Sequence, residues 1–139
     1  MAIQYISQQI PSCEALMKLY NEVGWTSYTK TPDVLEAGYQ TSLYVQSAYC
    51  RDQLVGVIRA VGDGHTIVYI QDLVVHPSYQ RQGIGSALLK AVLKQYATVR
   101  QVMLLCEEED SLLAFYHRHR FVNVQNFGCE ALYCIRCLA

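Results

Sequence analysis

Leu73-Val74-Val75-His76-Pro77-Ser78-Tyr79-Gln80-Arg81-Gln82-Gly83-Ile84-Gly85-Ser86 is the stretch on which the fold turns. It leaves an apolar, β-branched segment, passes a His-Pro turn, reaches two glycines one residue apart, and enters a run in which Ile84, Leu88, Ala91 and Val92 recur at helical spacing to about residue 96. Strand, tight loop and helix in that order make an anion site on elementary grounds. The first helical turn has N–H groups without intrahelical acceptors and holds the positive end of the helix dipole, and glycine lets a phosphate approach the main chain. Arg81 adds positive charge. Taken alone, Gly83 and Gly85 suit a tight turn and close helix packing equally well. Two other phosphate patterns fail: the Rossmann fingerprint needs Gly or Ala where Leu88 stands, and the P-loop needs a Gly-Lys-Ser/Thr that never occurs.

Upstream, residues 66–75 are nearly all β-branched or aromatic, as in a central strand covered on both faces, with Gln71 and Asp72 interrupting it. Residues 43–50 and 53–61 are strand-like runs joined by Arg51-Asp52, a link that suits an antiparallel hairpin, and Gly62-Asp63-Gly64 makes the next turn. Nearer the start, residues 3–6 read as a strand. Ser12 opens a helix with Leu16, Met17 and Tyr20 on its apolar face, and Gly24 stops it. An aromatic loop at residues 24–28 and a short helix from Pro32 to about residue 37 follow. Downstream lie a strand at 101–106, a helix at about 111–119, and strands near 121–124 and 131–137. This order predicts a mixed α/β fold. No repeat, low-complexity tract or linker interrupts it, so residues 1–139 read as one domain.

Hydrophobic residues make up 52% and charged residues 17% of the chain, a globular composition, and the net charge of −1 with scattered basic residues offers nothing to a phosphate backbone. Nucleic acid is excluded as a partner on that ground. No run approaches the roughly 20 apolar residues of a membrane span. The first ten residues lack the pattern of a signal or transit peptide, which points to the cytoplasm. In a reducing compartment the six cysteines are expected to be free core residues. Cys134-Ile-Arg-Cys137 has half-site spacing, but residues three apart in a strand face opposite ways, so no metal is expected. The acids at 107–110 read as a solvated helix cap.

Gln80, Gly83 and Gly85 fill the pattern Gln/Arg-x-x-Gly-x-Gly/Ala, preceded by Leu73-Val74-Val75-His76-Pro77 and followed by an amphipathic helix, while Phe115-Tyr116 with Phe121 resembles a second signature. On these motifs the chain resembles the GNAT acetyltransferases, small bacterial-type members, over almost its whole length. The resemblance implies a twisted mixed sheet flanked by helices, acetyl-CoA as cosubstrate with no metal, and direct transfer of acetyl to the primary amine of a small molecule. Carried over, Leu73, Val74 and Val75 hold the thioester and pantetheine, and Gln80, Arg81, Gln82, Gly83, Ile84, Gly85 and Ser86 hold the pyrophosphate. A homodimer is a further expectation from the family. The chain departs from the family at Arg120, where glycine is frequent, and at Gln71, where some relatives carry glutamate followed by an aspartate matching Asp72.

An alkylamine titrates near about 10, so it must lose a proton before nitrogen attacks a thioester. Asp72, an acid in an apolar strand, is the first candidate to remove it; a hydrogen-bonded structural carboxylate or a substrate contact fits the residue as well. The leaving thiolate gains from a proton donor, and Tyr116 matches the family's tyrosine. By the resemblance, the loop between the first helices covers the acceptor, so Trp25 and Tyr28 wall its pocket and Arg59 is available to an acidic group. His76 reads as a residue that shapes the turn, and Cys106 has no histidine fixed beside it to make it a nucleophile. Two other functions compete: a sensor that binds acetyl-CoA without turnover, and an acetyltransferase acting on proteins or peptides.

Overall fold

A computed structural model describes residues 2–138. Residues up to Leu105 form one compact unit, and those from Cys106 onward form a second.

In the first unit, Ser12 caps helix α1 (Cys13–Glu22) by accepting the Ala15 N–H at 3.1 Å, so a polar side chain replaces a missing helical acceptor. The helix ends at Gly24, whose φ of 81° is left-handed. Gly24 N–H bonds Asn21 O and Trp25 N–H bonds Tyr20 O, the paired closure that fixes where Trp25 leaves the helix. What reads as an aromatic loop contains one further turn of helix, α2 (Thr26–Thr29), and α3 extends beyond the expected residue 37, spanning Pro32–Gln40.

Five strands, β1 (Ile3–Ser7), β2 (Tyr44–Cys50), β3 (Gln53–Gly62), β4 (Val68–Val75) and β5 (Val102–Leu104), pair in sequence order. Every pairing is antiparallel except β4 with β5, which is parallel. Leu16, Leu19 and Tyr20 of α1 and Leu35 and Tyr39 of α3 close over Val45, Leu54, Val57 and Val74 on one face. Each such aliphatic burial contributes about 1.5–3 kcal/mol. On the other face lies α4 (Ile84–Gln95), whose Ile84, Leu88, Leu89 and Val92 are buried. It sits so close that a Cβ on Gly56 would lie 3.0 Å from Ile84 Cγ2 and 3.3 Å from Leu88 Cδ1.

Two irregularities in β4 shape the site. Ala60 pairs with Ile70 but Arg59 pairs with Asp72, so Gln71 is an extra residue, a bulge opposite no residue of β3. Ile70 therefore shares the face of Ala60, and Asp72 the opposite face with Arg59. Pairing to β5 then ends at Ile70–Leu104, leaving the edge of β4 beyond it without a strand neighbour among the described residues.

The second unit holds α5 (Asp110–Arg118), with 3₁₀ turns at Val124–Phe127 and Ile135–Leu138. The strands expected near 121–124 and 131–137 are corrected here. A strand exists by pairing, and neither segment pairs among the described residues; the first runs into a turn that ends at Gly128 with φ 72°. The expected opposite orientation of Cys134 and Cys137 lapses with the strand, and the Cys137 side chain lies outside those described.

Candidate active site

The His76 N–H bonds Val55 O at 2.8 Å, which makes Gly56 and Val75 a pair that does not exchange hydrogen bonds. Val75, and by alternation Leu73, thus turn their N–H and C=O groups toward the edge that β5 leaves open. The Val75 carbonyl accepts from Gln80 Nε2 at 3.0 Å, which folds the following loop back on the strand end. Val74 faces the core and is 2% exposed, and by the same alternation its N–H and C=O are paired with Val57 of β3, so the expectation that it holds a ligand is corrected: neither its side chain nor its main chain is open to one.

His76 shapes the turn, its Nδ1 accepting the Ser78 N–H at 3.0 Å, and the loop then makes two left-handed steps, Arg81 at φ 62° and Gly83 at φ 84°. Gly83 is the N-cap of α4, and the first intrahelical bond runs from Ala87 N–H to Gly83 O. The amides of Ile84 and Gly85 precede that bond at the positive end of the helix. Arg81 and Gln82 are exposed beside them, Ser86 lies in the same turn, and the Ile84 side chain is buried beneath. Left-handed steps followed by helix-start amides are an arrangement that can receive an anion.

Asp72, Arg59, Tyr28 and Trp25 come together on the α1–α3 face. Asp72 is 3% exposed, and Arg59 donates to its Oδ2 from Nε at 3.0 Å and from Nη2 at 2.8 Å. Burial works against the Arg59 charge, but the carboxylate outweighs it and the pKa ends above its ordinary value. Arg59 also lies over the Tyr39 ring, 5.1 Å from its centroid, and its Nη1 would be 3.2 Å from a Cβ on Gly38. A glycine inside α3 costs about 1 kcal/mol against alanine, and here it makes room for the guanidinium.

Hydroxyls complete the shell. Tyr20 donates to Asp72 Oδ2 at 3.0 Å and Tyr28 to Oδ1 at 2.8 Å. A carboxylate only accepts, so Tyr20 has spent its hydrogen, and the 2.7 Å contact between the Tyr20 and Tyr39 hydroxyls must be a donation by Tyr39. The same logic orients Gln71, whose Nε2 donates to the Tyr28 oxygen at 3.2 Å. Burial, then the neighbouring Tyr39 and Asp72, raises the pKa of Tyr20; burial also raises that of Tyr28. Trp25 packs edge-on to Tyr20 at 5.8 Å and tilted against Tyr28 at 6.1 Å. Tyr20 and Tyr39 escaped the sequence reading because on a helix they look like any core aromatics. Gly38 gave no signal either, because the sequence predicts a helix that stops at about residue 37, and α3 carries Gly38 in its interior only by running on to Gln40.

In the second unit, Tyr116 is buried and packs against Phe115 and Phe121 at 5.1 and 5.9 Å. Burial, with a smaller contribution from Cys106, pushes its phenol up to about 12, so it stays protonated throughout the physiological range. Burial also raises the Cys106 thiol, which lowers its nucleophilicity at neutral pH. Elsewhere, a cavity of about 700 Å³ between α1 and the β2–β3 hairpin is also lined by His76 and Tyr79, in the turn that follows β4. Among the described residues, no helix is long and apolar enough to cross a membrane, and no cluster of three metal-ligating side chains occurs.

Residues 17–132, which run through both units, match the model of the acetyltransferase (GNAT) domain family. A GNAT-family acetyltransferase of Streptococcus pneumoniae TIGR4 superposes with a TM-score of 0.87 at 38% identity, over 96% of this chain and 97% of the other. The uncharacterised N-acetyltransferase ycf52 of Gracilaria tenuistipitata var. liui is 27% identical over 77% of this chain, which spans 60% of that relative's length. The PaiA N-acetyltransferase of Thermoplasma acidophilum, solved in complex with coenzyme A, has the same fold, with a TM-score of 0.66 at 17% identity over 86% of this chain and 89% of its own.

Proposed function

This chain belongs to the GNAT acetyltransferase family, and from that premise we propose that it is an acyltransferase moving acetyl from acetyl-CoA to the primary amine of a small molecule by direct attack in a ternary complex. The observation that carries the reading is the open edge of β4. Leu73 and Val75 present peptide groups there like a missing strand, and the same chain runs directly into the anion receptor at Arg81, Gly83, Ile84 and Gly85. A long amide-bearing arm ending in a pyrophosphate fits that sequence of features. The fold's occurrence with coenzyme A in the archaeal PaiA protein supports it.

Gln80, Gln82 and Ser86 join the pyrophosphate loop, and Val74, bonded to β3, holds Leu73 and Val75 in place. Trp25, Tyr28, Arg59 and Asp72 serve the acceptor side. The nitrogen–carbon bond forms as the carbon–sulfur bond breaks; sulfur leaves with a proton from Tyr116, and the proton shed by nitrogen passes to solvent, from which Tyr116 is restored. One catalytic domain over residues 1–139, acting in the cytoplasm, goes with this reading. So does a homodimer, for which Phe127, Leu132, Tyr133 and Ile135, all exposed, supply apolar surface.

The test is release of free thiol from acetyl-CoA in the presence of polyamines, arylalkylamines, amino sugars, amino acids and short peptides. One amine class is expected to turn over, with kcat about 10²-fold lower in Tyr116→Phe. Coenzyme A binding with no release from any amine points to a sensor; release with peptides alone points to a protein acetyltransferase.

A further inference from the structure

The buried Asp72 cluster has one outlet. Of the hydroxyls that reach the carboxylate, those of Tyr20 and Tyr28, Tyr20 is fully buried, whereas Tyr28 is half-buried and bonds the exposed bulge residue Gln71. A phenol oxygen has one hydrogen and two lone pairs. At Tyr28 the hydrogen is committed to Asp72 and one lone pair to Gln71, so what remains is an acceptor. Gln71 has given an N–H to Tyr28 and keeps its Oε1, a second acceptor on the same exposed bulge. Two acceptors beside the Trp25 and Tyr28 rings match a group rich in N–H and flanked by carbon.

We propose that the Tyr28 oxygen and Gln71 Oε1 receive the N–H groups of the primary amine acceptor, and that Asp72 with Arg59 acts behind them as a positioning pair without taking the proton. The proposal rests on the acetyltransferase reading. Four hydrogens already point at the two Asp72 oxygens, two from Arg59 and one each from Tyr20 and Tyr28. Three of them meet at Oδ2 and one, from Tyr28, at Oδ1, and the carboxylate is 3% exposed, so an acceptor from solvent meets the half-buried Tyr28 oxygen before it meets Asp72. What the carboxylate does instead is fix the direction of the Tyr28 O–H, turning a group that could donate or accept into one that accepts. The neutral Gln71 then belongs to the site as a hydrogen-bonding residue.

The experiment is calorimetric binding of tyramine and of N,N-dimethyltyramine to the coenzyme A-loaded protein, for wild type, Tyr28→Phe and Gln71→Ala. Hydrogen bonds to a charged group are worth about 1.5–3 kcal/mol, so Tyr28→Phe should weaken tyramine roughly 10- to 100-fold. The same change should erase most of the preference for tyramine over its dimethyl derivative, which has lost two N–H groups, and leave coenzyme A affinity unchanged. Gln71→Ala, at an exposed position where folding is not at stake, should do the same to a smaller degree. Tyramine bound as tightly by Tyr28→Phe as by wild type, with the preference intact, overturns the proposal while the acetyltransferase reading stands. Failure of wild type to bind coenzyme A sinks that reading and the proposal together.

Discussion

Two helices of this chain close with the same pair of hydrogen bonds on different residues. After α1 the left-handed position is Gly24; after α5 it is Arg120 at φ 70°, with Arg120 N–H bonding His117 O and Phe121 N–H bonding Tyr116 O. The turn that the family usually builds with glycine is therefore made by arginine. A side chain in this conformation costs about 1–2 kcal/mol, and glycine's freedom in the unfolded chain returns about 0.5–1 of it. Arg120→Gly should then stabilise the protein by about 0.5–1 kcal/mol, read from urea denaturation; an unchanged midpoint would show that the arginine is not strained. Single residues of this kind were legible where they act on their own neighbours, as with the Ser12 cap and the Gly24 stop. The Asp72 shell was not, because its donors come from positions 20, 28 and 59, and no local rule brings these together.

The elements that could be read, α1, α4 and the β2–β3 hairpin, are those whose periodicity or turn chemistry is local. The bulge in β4 could not. Val68, Ile70, Asp72 and Val74 are all buried and look like one continuous alternation, yet the first two and the last two lie on opposite faces of the sheet. Apolar composition misled at residues 131–137, since it makes a segment fit for a strand without supplying a neighbour. Contact between elements is sharpest where α4 rests on Gly56. A methyl group there must displace Ile84 and Leu88, at a cost of about 1–3 kcal/mol. Because Ile84 begins the helix whose first amides form the anion receptor, Gly56→Ala should also weaken coenzyme A binding severalfold in a calorimetric titration. Destabilisation with unchanged coenzyme A affinity would mean that the receptor is held by the loop alone.

At the scale of the whole molecule, the 11 tyrosines set its alkaline behaviour. Burial raises the pKa values of Tyr20, Tyr39 and Tyr116, while an unfolded tyrosine titrates near about 10. A group whose pKa is higher in the folded state contributes stability that is complete below the unfolded value and lost as pH rises through the folded one. Stability should thus be level to about pH 10 and then fall, with each buried tyrosine adding about 1.4 kcal/mol per pH unit until its folded value is reached. Melting curves between pH 8 and 11 test this, and a decline beginning well below pH 10 would place the cause in other groups. The bulge at Gln71 has a consequence for descent. An extra residue in a strand owes nothing to the ladder, so its identity can drift while the sheet keeps its register. Acceptor preference can then diverge between paralogues by a single substitution at position 71, leaving the architecture that carries the cofactor inherited intact.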